Sequence, residues 1–469
     1  MKVRLFTIAA VLFPLWATAQ RLSVDINNWQ FSRDQQNWQQ VKVPHDWAIA
    51  GPFDKKWDLQ YVAIAQNGET EKTEKSGRSG ALPWIGKGYY RTHIDGTRLQ
   101  GKRVVLAFDG AMADPHVFVN GKEAGRWAYG YNAFRINITP FIKPGDNLIE
   151  VNLNNLEESS RWYPGGGIYR PVHLIATSPT AIDDWSVFCH TISANDKEAV
   201  IGVSAALTDS SNQKLTYTLK DCQGRTVASA EGTGQLSLRV ANPKLWSPDH
   251  PYLYTLTVAY NDGGRCRDAY SLKTGIRTLT IGKEGVRLNG RPLPIKGVCL
   301  HHDLGPLGAA VNKAAIIRQV NILKDMGANA IRTSHNMPSQ TQMQVYDSLG
   351  IVVMAESFDM WLYPKCQNGY ARLFKDWADR DITNLVLANR NHPSLIMYSI
   401  GNEIPEQWSD EGREIARHLQ DICHRLDPTR MVTQGMDRPD DALKSGFAQV
   451  MDIPGFNYWV WKYHKDNSH

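Results

Sequence analysis

From about Leu279 onward, short apolar runs alternate with longer amphipathic ones, and this alternation restricts the fold more than any other feature of the chain. The apolar runs are "PIKGVCLHH", "NAIRTSH", "IVVMAES", "LIMYSIGNE", "MVTQGM" and "MDIPGFNY". Each has the length of a buried strand rather than a helix. Between them the spacing predicts helices from Asn312 to Met326, up to Leu349, from Tyr370 to Asn389, and from about Asp410 to Leu426. Gly327 and Gly350 stand where two of these helices must stop. Strand–helix repeats with short loops imply a parallel sheet closed as a (β/α)8 TIM barrel. About six units are present, where a closed barrel needs eight.

In such a barrel the chemistry sits on loops at the C-terminal ends of the strands. Polar residues fall there after successive runs: His301 and His302, Arg332 and His335, Glu356 and Asp359, Asn402 and Glu403, Asp437, then Asn457 and Tyr458. Singly each reads as structural, and Glu403 could equally cap the next helix or pair with an arginine. Together they would line one mouth. A carboxyl beside an amide, as in Asn402-Glu403, can donate a proton to a leaving oxygen. Glu356 follows its strand directly and is expected to brace Arg332. The chain carries no GxGxxG, Walker, G-x-S-x-G or HExxH pattern. Adjacent histidines such as His301-His302 rarely chelate one ion, so no metal and no cofactor are expected.

The preceding part is all-β. Between Gln20 and about Ser178, short alternating runs (Val104–Phe108, His116–Val119, Ala133–Ile138, Leu148–Leu153, Val172–Ala176) are separated by turn residues. Asn120-Gly121 predicts a hairpin, and the strand spacing predicts a sandwich or jelly roll. The polar segment Gln66–Gly80 predicts an exposed loop. A second β region runs from Pro179 to about Lys273, and Gly275-Ile276-Arg277 begins the crossing into the barrel.

Met1–Ala19 has the basic end, short apolar core and A-x-A site of a secretory signal peptide. This predicts cleavage before Gln20 and a secreted or periplasmic protein. No later stretch is long and apolar enough to span a bilayer. The net charge of +5 is small and forms no basic stripe, which argues against a nucleic-acid partner. Six cysteines show no metal spacing and are expected to be mostly unpaired, buried thiols.

Two of these stretches, "NRNHPSLIMYSIGNE" (Asn389 to Glu403) and "NAIRTSHNMPS" (Asn329 to Ser339), resemble the two motifs of glycoside hydrolase family 2, in the family's order; Tyr398 stands where a Trp is usual. "VPHDWAIAGPFD", "SGALPWIGKGYYR", "SSRWYPGGGIYRPVHL" and "ESFDMW" resemble secreted β-galactosidases within that family. The resemblance implies a jelly-roll sugar-binding-like domain over 20–178, an immunoglobulin-like β-sandwich over 179–277 and a partial TIM-barrel catalytic domain over 278–469. It implies a retaining exo-glycosidase that cleaves terminal β-D-galactosides, with Glu403 as acid/base and Asn402 on the sugar 2-hydroxyl. It also implies that Tyr458 contacts the nucleophile and that His335, Asp359 and Asp437 contact sugar hydroxyls. Arg161 would reach over from the first domain to the sugar, or else form a salt bridge inside the jelly roll. Trp361 would be a stacking platform or a core residue. In the family the nucleophile is a second Glu beyond the block resembling "DIPGFNYWVWKYH". After Glu403 this chain has only Glu406, Glu411 and Glu414, none of which follows a later strand. The chain is therefore expected to be an inactive piece of a longer hydrolase whose first and sixth barrel strands are open edges. The alternatives are β-glucuronidase or β-mannosidase specificity, or a non-catalytic carbohydrate-binding pseudoenzyme. Oligomeric state stays open, a homo-oligomer included.

Overall fold

Alternating burial builds the first unit. In Asp146–Asn154 the side chains of Asn147, Ile149, Val151 and Leu153 turn inward, and the strand pairs with Lys87–Asp95 and His116–Val119. The computed structural model describes residues 21–58, 61–62, 73–74 and 84–462. The expected signal peptide and most of the 66–80 segment lie outside them, apart from Thr73–Glu74, which pairs with Tyr61–Val62. A six-stranded and a four-stranded antiparallel sheet pack around Trp29, Phe31, Tyr90, Phe108 and Phe134. The hairpin at Asn120-Gly121 forms as expected, with φ of 52° and 78°.

A second sandwich follows. The sheet of Phe188–Ala194, Glu198–Ser204 and Leu236–Ala241 packs with that of Thr226–Gly232, Leu215–Lys220, Tyr254–Asp262 and Arg265–Thr274 around Tyr217, Leu219 and Leu256. The next residues depart from the expected pattern. Leu279–Gly282, Gly285–Leu288 and Arg291–Pro292 form a small antiparallel sheet before the first barrel strand. Leu288 packs with Trp246, Val352 and Ile396. This cluster seals the N-terminal end of the barrel, which a period-based reading does not separate from the barrel itself.

Six strands then form one parallel sheet in chain order: β1 (Gly297–Leu300), β2 (Ala330–Thr333), β3 (Val352–Glu356), β4 (Leu395–Asn402), β5 (Met431–Met436) and β6 (Ile453–Phe456). The helices are α1 (Lys313–Asp325), α2 (Gln340–Leu349), α3 (Phe374–Asn389), α4 (Asp410–Leu426) and α5 (Pro439–Lys444). Every residue of β4 is buried, as a parallel strand covered on both faces requires. Asn312 caps α1 by accepting from the Ala315 N–H, and Ser339 forms a capping box with Gln342 on α2. Gly350 ends α2 at a φ of 72°. Tyr370–Arg372 is a separate 3-10 turn, so α3 starts later than its amphipathic pattern suggests. Among the described residues, β1 and β6 each pair on one side only.

The first half of the Asn389–Glu403 motif is a joint between domains. Arg390 donates to the carbonyls of Trp185, Ser186 and Leu426. Asn391 donates to the Val187 carbonyl and accepts from the Cys189 N–H. Arg277 donates to the carbonyls of Pro393 and Leu395 at 2.6 Å each. The immunoglobulin-like unit thus holds the N-terminal end of β4, the strand that carries Glu403 at its other end. None of the six cysteines forms a disulfide. Three are buried, whereas Cys222, Cys266 and Cys299 are exposed, so the expectation of mostly buried thiols holds for half of them.

Candidate active site

The strand geometry brings most of the expected residues together. At the end of β4 the backbone turns sharply: Glu403 has a φ of 46°, and its N–H donates to the Gly435 carbonyl on β5 at 2.7 Å. This aims the half-buried carboxyl across the mouth toward β6. There Asn457 Nδ2 donates to Glu403 Oε1 at 2.9 Å, and the Tyr458 hydroxyl is hydrogen-bonded to the same carboxylate. Tyr458 has a φ of 67° and is 69% exposed. Partial burial would push the Glu403 carboxyl up. The hydrogen bonds from Tyr458 and Asn457, with the Lys365 and Arg161 charges, outweigh it and hold Glu403 below the usual carboxylate range. The same hydrogen bond pushes the Tyr458 phenol up to about 12.

Behind Glu403 lies a buried, charge-balanced network. Arg332 donates through Nε to Glu356 at 2.8 Å and through Nη2 to Asn402 Oδ1 at 2.9 Å. His335 Nδ1 lies 2.6 Å from the other oxygen of Glu356, and Ser399 donates to Glu356 at 2.5 Å. Burial would raise Glu356, but Arg332 and His335 outweigh it and keep it ionised. Glu356 therefore braces Arg332, as expected from the sequence.

Asp359 is gripped from two domains. Arg161 of the jelly roll donates through Nε and Nη2 at 2.8 and 2.6 Å. Lys365 Nζ lies 3.2 Å from the same carboxylate and donates to the Asn402 carbonyl at 2.6 Å. Asn402 Nδ2 donates to Asp359 at 3.0 Å. Burial opposes ionisation of Asp359, but the Lys365 and Arg161 charges override it and hold the carboxyl far below its usual range. Arg161 thus does leave the jelly roll, but its partner here is Asp359.

One expected contact falls elsewhere. Trp361 has no exposed ring face: it is 0% exposed, packs near Phe374 and Phe447, and donates from Nε1 to the Ile400 carbonyl. It is a core residue and not a stacking platform, because the loop after β3 turns it beneath the site. Asp437 lies at the rim with its carboxylate accepting from Gln407 at 2.6 Å. Glu406 is fully buried and accepts from the Leu362 and Tyr363 N–H groups.

Sequence reasoning missed Lys365 and Trp162. The Trp162 indole is edge-on to His335 and lies 5.2 Å from the His301 ring, making an aromatic wall at the mouth. Its place beside Arg161 was the available signal. For Lys365 the available signal was its place six residues after Asp359, in the stretch after the same apolar run. His302 instead packs inward against Tyr131 and Tyr169; burial pushes its imidazole down to about 3, so it stays neutral. Among the described residues, no cluster of three or more His, Cys, Asp or Glu could hold a metal ion. No described helix is long and apolar enough to cross a membrane.

Comparison with known proteins places this geometry. The sugar binding domain model of glycosyl hydrolases family 2 matches residues 15–178, the glycosyl hydrolases family 2 model matches 180–277, and that family's TIM barrel domain model matches 279–464. Beta-galactosidase BoGH2A of Bacteroides ovatus is 37% identical over 90% of this chain and 53% of its own length. A putative beta-glucuronidase of Formosa agariphila is 32% identical over 94% of this chain and 41% of its own. A solved glycosyl hydrolase family 2 member from Bacteroides cellulosilyticus superposes with a TM-score of 0.87 at 33% identity, covering 96% of this chain and 60% of that one. A beta-glycosidase from Bacteroides vulgatus gives 0.82 at 31%, covering 95% and 57%. The chain spans about half the length of the curated relatives it matches. With matches running through all three domains, and with the paired motifs meeting at one barrel mouth, this chain belongs to glycoside hydrolase family 2.

Proposed function

We propose that this chain forms the sugar-facing part of an exported, retaining exo-β-galactosidase with Glu403 as its acid/base. The observation that carries this reading is the setting of Glu403: a half-buried carboxylate at the C-terminal end of β4, held by Asn457 and Tyr458 and backed by Asn402. Retaining hydrolysis needs two carboxyls ~5–5.5 Å apart, one as nucleophile and one as acid and then base. Glu356 and Asp359 are both committed to ion pairs, which suits bracing and orientation rather than attack. We assign the nucleophile to the part of the relatives' length that this chain does not span. An ionised nucleophile beside Glu403 would raise it by like-charge repulsion and let it act as an acid.

A neutral sugar fits the charge balance best. Arg161 and Lys365 are neutralised by Asp359, and Arg332 by Glu356. None of these cations is left to grip a glucuronate carboxylate, and an ionised Asp359 would repel it. Glucuronidases among the relatives keep that specificity as the second reading. Hydrolysis of nitrophenyl β-galactoside but not β-glucuronide or β-mannoside by the full-length enzyme supports the proposal; the reverse preference removes it. Export is tested separately, by N-terminal sequencing of protein recovered outside the cytoplasm, which should begin at or near Gln20.

A further inference from the structure

At the opposite end of β4 from Glu403, a cavity of about 240 Å³ opens between the immunoglobulin-like domain and the barrel. Its lining includes His190, Thr191, Arg277, Asn391, Thr429 and Arg430 and is mainly polar. Arg277 is an unusual cation. Its Nε and Nη2 donate to the Pro393 and Leu395 carbonyls, and among the described residues Nη1 makes no hydrogen bond and no carboxylate pairs with the guanidinium. The two nearby carboxylates are already engaged. Asp427 accepts from Arg430 at 2.6 Å and from Tyr398 at 2.9 Å. Asp347 accepts from Ser394 and faces His392. Burial and the neighbouring Arg430 charge together push the Arg277 guanidinium down to about 9, so it is still charged at neutral pH. A half-buried cation with no carboxylate in contact is costly.

The third wall points the same way. His190 stacks on Phe188 at 4.6 Å, and its ring lies where any side chain at position 202 would have to sit, so Gly202 leaves it room. Its Nδ1 is buried with no hydrogen-bond partner. With Nε and Nη2 taken by carbonyls, the Nη1 of Arg277 and the imidazole of His190, which line one polar cavity, suit an oxygen-rich ligand that accepts from both.

We propose that this cavity binds a small oxyanion of the phosphate or sulfate class, held by Arg277 and His190 in the field of Arg430. The anion supplies the missing counter-charge and braces the immunoglobulin-like domain against the strand that carries Glu403. Phosphate and sulfate share the chemistry, so each is titrated into the purified full-length protein in a chloride background of matched ionic strength. Calorimetry should give a saturable isotherm for at least one of them, and Tm should rise by roughly 2 °C or more and then level off. General stabilisation by excluded salts does not level off. Arg277→Gln should abolish the isotherm. His190→Glu, which puts a carboxylate in the cavity, should fold as stably as the parent without added anion and lose the response; this variant decides the matter should Arg277→Gln not fold. No saturable isotherm in the parent, or an undiminished one in His190→Glu, overturns the proposal.

Discussion

Arg161, on the jelly roll, and Asp359, on the loop after β3, form a two-point ion pair across the domain boundary, with N–O distances of 2.8 and 2.6 Å. The pair ties the first domain to the floor of the site, and Asp359 in turn holds the amide of Asn402, next to Glu403. The jelly roll is thus part of the architecture of the candidate site.

Removing Arg161 leaves a buried carboxylate with one cation in place of two. Breaking a buried pair typically costs about 3–5 kcal/mol; Lys365 should recover part of that here. Arg161→Gln is expected to lower Tm and to reduce kcat/KM, measured on the same preparation. Loss of stability with unchanged kinetics would confine the pair to a structural role.

Tyr458 should set the alkaline limb of the pH profile, because Glu403 must be protonated to act as the acid. Its hydroxyl is the largest influence holding Glu403 down against burial. Tyr458→Phe therefore raises the Glu403 pKa toward the ordinary carboxylate range, and the limb that reports Glu403 moves to higher pH. A limb that stays in place while kcat falls would mean that the hydroxyl serves another group.

Much of this was legible from the chain itself. Glu403, Asn402 and the β4 apolar run are contiguous, so one motif locates the strand, its end and the carboxylate together. Glu356 and Arg332 were legible as a pair because each closes an adjacent strand. What escaped was contact between distant segments. Arg161 and Asp359 are 198 residues apart, and only the packing of jelly roll on barrel makes them partners. Trp361 follows its strand as a platform residue would, but whether such a ring turns outward or inward is decided by the loop, and here it turns inward. The same limit hid the double duty of the Asn389–Glu403 motif, whose first half meets a domain about two hundred residues earlier in the chain.

Trp361→Ala should accordingly behave as a core truncation. A cost of about 3–5 kcal/mol is typical for such a change. Trp361→Phe should retain most of the stability and leave KM near that of the parent, whereas a large rise in KM in this variant would restore Trp361 to the sugar.

Asp381 gives the jelly roll–barrel contact a pH dependence. It is fully buried and accepts from Trp127 at 2.9 Å, from Asn132 at 2.7 Å and from the Tyr370 hydroxyl. Burial pushes its carboxyl up to about 7 in the folded protein, from an ordinary value of 3.8. A raised carboxyl favours the folded state when protonated, so its contribution is fully present below about pH 4. It is lost as pH rises toward 7. Asp381→Asn keeps one acceptor oxygen for Trp127 and Asn132 and lets the Tyr370 oxygen accept from the new amide. Chemical denaturation at several pH values should show that this part of the slope has gone; an unchanged slope would assign it to other groups.

The most direct test of Glu403 is leaving-group dependence in the full-length enzyme. General acid catalysis is typically worth ~10²–10⁴-fold, and a good leaving group needs little of it. Glu403→Gln should therefore lose activity by that order on unactivated galactosides, while retaining much more of it on dinitrophenyl β-galactoside. An equal loss on both substrates would contradict the acid/base assignment and make Glu403 the nucleophile or a structural residue.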